Sequence, residues 1–195
     1  MKKLQYKFTK RIPDILLESF FIVVALLLAL ALDQWRDEQK GLELAKNAKT
    51  AIYAELTDNK KKLEDKRIAH EKILETINLY IQQAEAKPSN ANELEFEYTM
   101  VLISNSAWNS AKMTQVVQSF SFKEITNFSQ MYQMQDLYLT NQDKIIDKVM
   151  EMGELKEEEL LGFAKGFAHR LAILIDINKS FSKGLEAVIL EKNSI

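Results

Sequence analysis

Cysteine is absent from this 195-residue sequence, proline occurs only twice and glycine five times. Without cysteine there is no disulfide framework, no thiol nucleophile and no cysteine metal site. So few helix breakers argue against a turn-rich sheet protein and favour long helices. Histidine is equally scarce, with His70 and His169 the only two. Neither belongs to a His-x-x-x-His or Glu-x-x-His pair, so no helical metal site is encoded, even if a first and a last helix running antiparallel bring the two together. There is no Gly-rich phosphate loop after a strand and no Gly-x-Ser-x-Gly elbow. Basic residues do not interleave with aromatics as in single-strand binders. The expectation is a protein that is not an enzyme, holds no cofactor or metal, and takes neither nucleic acid nor an identifiable small-molecule substrate.

What is present is one apolar run. Phe20 to Leu32 contains no polar residue. Ile15 to Leu32 spans 18 residues, about 27 Å of helix at about 1.5 Å per residue. Extension to Trp35 brings it to roughly the 30 Å of a bilayer's hydrocarbon core. The first thirteen residues carry five positive charges (Lys2, Lys3, Lys7, Lys10, Arg11) and no acid; the whole chain is −2, so the remainder is −7. The positive-inside bias then places residues 1–14 in the cytoplasm, residues 15–36 across a bacterial inner membrane, and residues 37–195 in the periplasm. Pro13 sits at the helix start, where its missing N–H is tolerated. Trp35 is read as an interfacial anchor. A cleavable signal peptide ending near Ala29-Leu30-Ala31 is the rival. Asp14 and Glu18 before the core, and the unbroken helical sequence after it, favour a retained anchor.

Within the span two features are read as contact points for lipid or partner. Glu18 shares a face with Lys10 and Asp14 at i, i+4, i+8 spacing, and is either a boundary residue reaching the headgroups or a proton-linked carboxylate. Ala25 and Ala29 form a small-xxx-small pair that permits close helix approach.

Beyond the span an amphipathic register continues through Leu42, Ala45, Ile52, Leu56, Leu63, Ile73, Ile77, Tyr80 and Ala84. Lys49, Asn59, Lys66 and His70 fill its other slots. This argues for a long helix packed on others for part of its length rather than an isolated coiled coil. Lys87-Pro88-Ser89-Asn90 ends it. Helices are expected over 93–104, 107–119, 122–152 and 155–192. Asn105 or Ser106 caps the second, Ser121 with Glu124 has capping-box spacing for the third, and Gly153 closes it. Phe120, Phe122, Phe128, Tyr132 and Tyr138, with Met131 and Met134, are read as core. The last helix carries one register through Leu160, Ala164, Phe167, Leu171, Leu174, Asn178, Phe181, Leu185 and Val188. A second runs through Leu161, Ala168, Ile175 and Ile189, so burial on two sides is expected. Gly162 and Gly166, four apart, imply a close helix crossing.

Residues 13–36 (PDILLESFFIVVALLLALALDQWR) and the segment Ser106-Ala107-Trp108-Asn109-Ser110-Ala111-Lys112 resemble a group of small single-span bacterial inner-membrane proteins of unassigned activity. In that group an apolar helix carries an early Leu-Glu and ends near a Trp. The resemblance implies that Glu18 and Trp108 occupy recurrent positions. The sequence therefore points to an all-α fold: one N-terminal transmembrane helix continuing into a long amphipathic helix, then a periplasmic helical bundle. Its expected role is that of a membrane-tethered accessory or scaffold, oligomeric or part of a complex with other membrane or periplasmic proteins. A ligand-sensing bundle and a proton-linked accessory subunit using Glu18 are the alternatives. The residues expected to carry contacts are Glu18, Ala25, Ala29, Trp35, Trp108, Gly162 and Gly166.

Overall fold

The computed structural model describes residues 2–86, 94–153 and 155–192, with side chains described from residue 16 to 191 within those ranges. Their regular secondary structure is all helical, and no strand occurs among them. The helices are α1 (Lys2–Ala86), α2 (Ser106–Met113), α3 (Phe122–Met152) and α4 (Leu160–Lys192), with 3-10 turns at Val116–Ser119 and Glu157–Glu159. The chain divides into two compact units, Met1–Asn47 and Ala48–Ile195.

The first unit is a stretch of α1 that buries almost nothing. Every side chain from Leu16 to Lys40 is exposed except half-buried Val24. This is the one helix among the described residues long and apolar enough to cross a membrane. After Leu32 the character changes at once, with Gln34 donating to Glu38 at 3.1 Å and Lys40 pairing with Asp37 at 3.2 Å.

The second unit has a core shared by α1, α3 and α4. From α1 it takes Ile52, Leu56, Leu63 and Ile77; from α3, Phe128, Tyr138 and Ile145; from α4, Phe167, Leu171, Leu174, Phe181 and Leu185. α4 is buried on both its stripes, since Ala168 and Ile175 are also inside while Leu161 and Ile189 are half-buried. The α1 register holds from Ala45 onward, but Leu42 is exposed.

Paired contacts fix the helix directions. Lys49–Glu124, Glu55–Tyr132 and Asn59–Gln135 rise together along α1 and α3, so those two helices run parallel. Leu63–Asn178 and Glu85–Lys165 run in opposite order, so α4 is antiparallel to α1. Parallel neighbours need a return connection. This explains one departure from the sequence reading. The expected helix over 93–104 does not form: residues 94–105 are non-helical, and Glu93 lies outside the described residues, as does the Lys87–Asn90 stop. From Ala86 back to the level of Glu55 is about 46 Å at about 1.5 Å per residue. The roughly twenty intervening residues would cover only about 30 Å as helix, against up to about 66 Å extended. Residues 94–105, the described part of the return, accordingly run stretched out.

The expected 107–119 helix is shorter, ending at Met113, with Gln115 at φ 58° turning the chain into the 3-10 turn. α3 begins as expected: Ser121 Oγ accepts from Glu124 N at 3.3 Å, and Ser121 N donates to Glu124 Oε2 at 2.8 Å. Gly153 ends α3 at φ −66°, so its conformational freedom is not used. The last helix begins at Leu160, behind the 3-10 turn at Glu157–Glu159, and not at Leu155. Phe122 is a core expectation that fails, being 84% exposed.

Candidate functional site

The segment 94–105 is a strap laid between α1 and α3, and it is held mainly by its backbone. Leu94 and Val101 turn inward and are buried, while Glu95, Glu97, Met100 and Leu102 face out. Gln142 on α3 takes both main-chain groups of Val101, accepting from its N–H at 2.7 Å and donating to its C=O at 3.2 Å. Asn59 on α1 treats Ser104 in the same way, accepting at 2.9 Å and donating at 2.7 Å. His70 Nε2 stands 3.0 Å from Thr99 O, and its ring stacks on Tyr98 at 4.9 Å. A carbonyl oxygen can only accept, so His70 carries its proton on Nε2. Lys66 Nζ donates to Thr99 Oγ1 at 3.3 Å. Asn59, His70, Gln135 and Gln142 are all buried, and buried amides need partners. Here the strap's main chain supplies most of them.

Where the strap turns into α2, a carboxylate from α1 takes over. Glu55 Oε2 accepts from Ser104 Oγ at 2.7 Å, Ser106 Oγ at 2.9 Å and Ala107 N at 3.0 Å, while Oε1 accepts from Tyr132 OH at 2.6 Å. The cap of α2 is therefore this remote acid; neither Asn105 nor Ser106 caps through its own side chain. An anion at a helix N-terminus is well placed. Burial pushes the Glu55 carboxyl up, but the bonds from Tyr132, Ala107, Ser104 and Ser106 outweigh it and hold it below the ordinary value.

His70 shifts the same way for another reason. Burial pushes its imidazole down, the Thr99 carbonyl pulls up, and nearby Lys66 pushes down again. A histidine depressed in the fold stabilises the protein fully above its unfolded value of about 6.5 and progressively less as pH falls from there toward the lower folded value. The expected outcome is a loss of stability between pH 7 and 5.5, at most about 1.4 kcal/mol per pH unit for one proton. In His70→Gln that slope should flatten; thermal melts of both proteins across that range check it. Glu55 adds its own loss only below about 4.5.

The residues singled out from sequence do not meet in one place. Trp108 is only 6% exposed, stacked on Tyr132 at 5.6 Å and set edge-on to Phe128 at 6.0 Å. It is a packing residue of the second unit, not an exposed contact. Gly162 and Gly166 are exposed, and nothing among the described residues stands within 4 Å of where a Cβ would be, so no described helix crosses there. The close approach occurs instead at Gly184, where a Cβ would lie 3.0 Å from Met131 Cε. Glu18, Ala25, Ala29 and Trp35 are exposed on the first unit, and a shallow furrow along the helix joins Glu18 to Leu17, Phe21, Ile22 and Ala25. His169 is exposed while His70 is buried, so the two histidines share no site. No cluster of three His, Cys, Asp or Glu able to hold a metal ion occurs among the described residues. The chain matches no family model, no curated protein and no solved structure.

Sequence reading missed Asn59, Gln135, Gln142 and Glu55 as a set. The available signal was polar side chains on otherwise apolar seams, which the reading noted for Asn59 and His70 without assigning them a partner.

Proposed function

We propose that this is a single-pass bacterial inner-membrane protein whose residues 15–36 cross the bilayer, with a cytoplasmic N-terminus and a periplasmic helical bundle over residues 37–195. It acts by protein–protein association, as a tethered accessory or scaffold, and not by catalysis. The observation that carries the membrane assignment is the run of exposed Leu, Ile, Val and Phe from Leu16 to Leu32. So large a continuous apolar surface is unstable in water and at home in lipid. The charge asymmetry supports the orientation. That α1 continues without a break through Ala29-Leu30-Ala31 to Ala86 supports retention over cleavage.

Association rests on surfaces the chain leaves uncovered. Ala25 and Ala29 lie on an exposed helix face, and at Gly162 and Gly166 no described residue stands within 4 Å of where a Cβ would be. Both permit a second helix to approach closely. Glu18 borders the first face and is the residue whose replacement by Gln distinguishes a proton-linked role. The resemblance to small single-span bacterial proteins fits the same layout.

Gentle detergent extraction followed by native mass measurement tests the reading. The expected result is an oligomer or a complex with co-purifying chains. A monomer without companions removes the association role and leaves the membrane placement.

A further inference from the structure

We infer that the groove between α1 and α3 is a peptide-binding site that reads main chain, and that residues 94–104 are its built-in occupant. The ligand class is an extended segment of another polypeptide. This deepens the association reading above and rests on it.

The geometry is that of a clamp on main chain. Gln142 and Asn59 each grip one residue by both its N–H and C=O, at Val101 and Ser104, from opposite walls of the groove. His70 takes a third main-chain group at Thr99. None of these five bonds depends on a side chain of the strap. Any extended chain presents the same donors and acceptors at the same spacing. Side-chain selection is left to the seats of Leu94 and Val101, seven residues apart, with Phe96 resting on Phe167 at 4.9 Å.

The present occupant is an imperfect match. Gln135 is 1% exposed and its Oε1 accepts from Asn59, yet its Nε2 has no partner. The hydroxyl of Tyr98 on the strap is also buried without a partner. Buried polar atoms are rarely left in that state. On the outer side, Met100 and Leu102 are exposed, Leu102 by 73%. A strap that leaves polar groups unpaired inside and apolar groups wet outside can be replaced by a segment that does neither.

The test uses the full-length protein in detergent micelles and two fluorescent peptides. One has the sequence of residues 94–104; the other keeps only the leucine and valine seven apart and is Thr, Ala and Lys elsewhere. The receptor is Val101→Pro, which removes the N–H that Gln142 accepts and so weakens the strap. Both peptides are expected to bind this variant saturably, at least tenfold more tightly than they bind the unaltered protein. Adding Gln142→Ala should weaken both at least tenfold. Binding of the strap sequence alone overturns the inference, because the groove then serves only this chain. Binding of neither peptide to a folded variant overturns it as well. If Val101→Pro does not fold, hydrogen exchange on the unaltered protein decides. The N–H groups of Val101 and Ser104 should open locally, well before those of buried α3; exchange only on global unfolding refutes the proposal. A chain that keeps its companions but binds no peptide loses the groove and not the association role. A monomer without companions that still binds peptide loses the association role and not the groove.

Discussion

Replacing Asn59 by Ala is expected to destabilise the second unit by about 3 kcal/mol. Asn59 is fully buried and makes three bonds: to Ser104 O, to Gln135 Oε1 and from Ser104 N. The truncation leaves each of those groups without a partner in a region that already contains the unpaired Gln135 Nε2. A stranded buried polar group costs about 1–3 kcal/mol. The strap lies near the surface and can relax toward water, so the three do not sum fully. At about 2–4 °C per kcal/mol for a unit of this size, the melting temperature should fall by about 10 °C. Circular dichroism melts of the purified protein measure it. An unchanged melting temperature means the strap is not held by the amides, and the main-chain clamp with it is wrong.

The second large effect concerns the first unit. Substituting both Leu26 and Leu27 by Arg is expected to abolish membrane integration. Arg at the centre of a spanning helix costs about 2.5–3.5 kcal/mol on insertion scales, and two adjacent ones about 6 kcal/mol. Neither leucine touches the packed core, since both are exposed. The fold of the second unit should therefore survive while the chain leaves the alkaline-washed membrane fraction. Leu26→Ala is the control that stays. If the double variant remains integrated, residues 15–36 are not the span.

The fold was legible wherever one helix face dictates burial. The α4 register from Ala164 to Val188 and the Ser121–Glu124 cap follow from periodicity and local hydrogen-bond chemistry, and the structure reproduces them. The strap was not legible. Glu95, Glu97 and Met100 suit a helix locally, and the reason they do not form one is that α1 and α3 run parallel, a fact held in pairs such as Glu55–Tyr132 far apart in sequence. The same remoteness hid the α2 cap, because Glu55 precedes Ala107 by 52 residues. Trp108 illustrates the converse. It is singled out as a contact residue through the resemblance alone, but Phe128 and Tyr132 arrive from the next helix and enclose it.

The parallel arrangement also sets an order of events at birth. α1 leaves the ribosome first, and part of its apolar face is covered by α4, which leaves last. Leu63 and the residue that caps its carbonyl, Asn178, are 115 positions apart. At about 5–20 residues per second, the interval is roughly 6–23 s. Throughout that time Ile52, Leu56, Leu63 and Ile77 lack their final neighbours. A nascent chain in this condition keeps part of its apolar surface uncovered until α4 is made. Early termination anywhere before α4 should yield an aggregating product and not a smaller working domain.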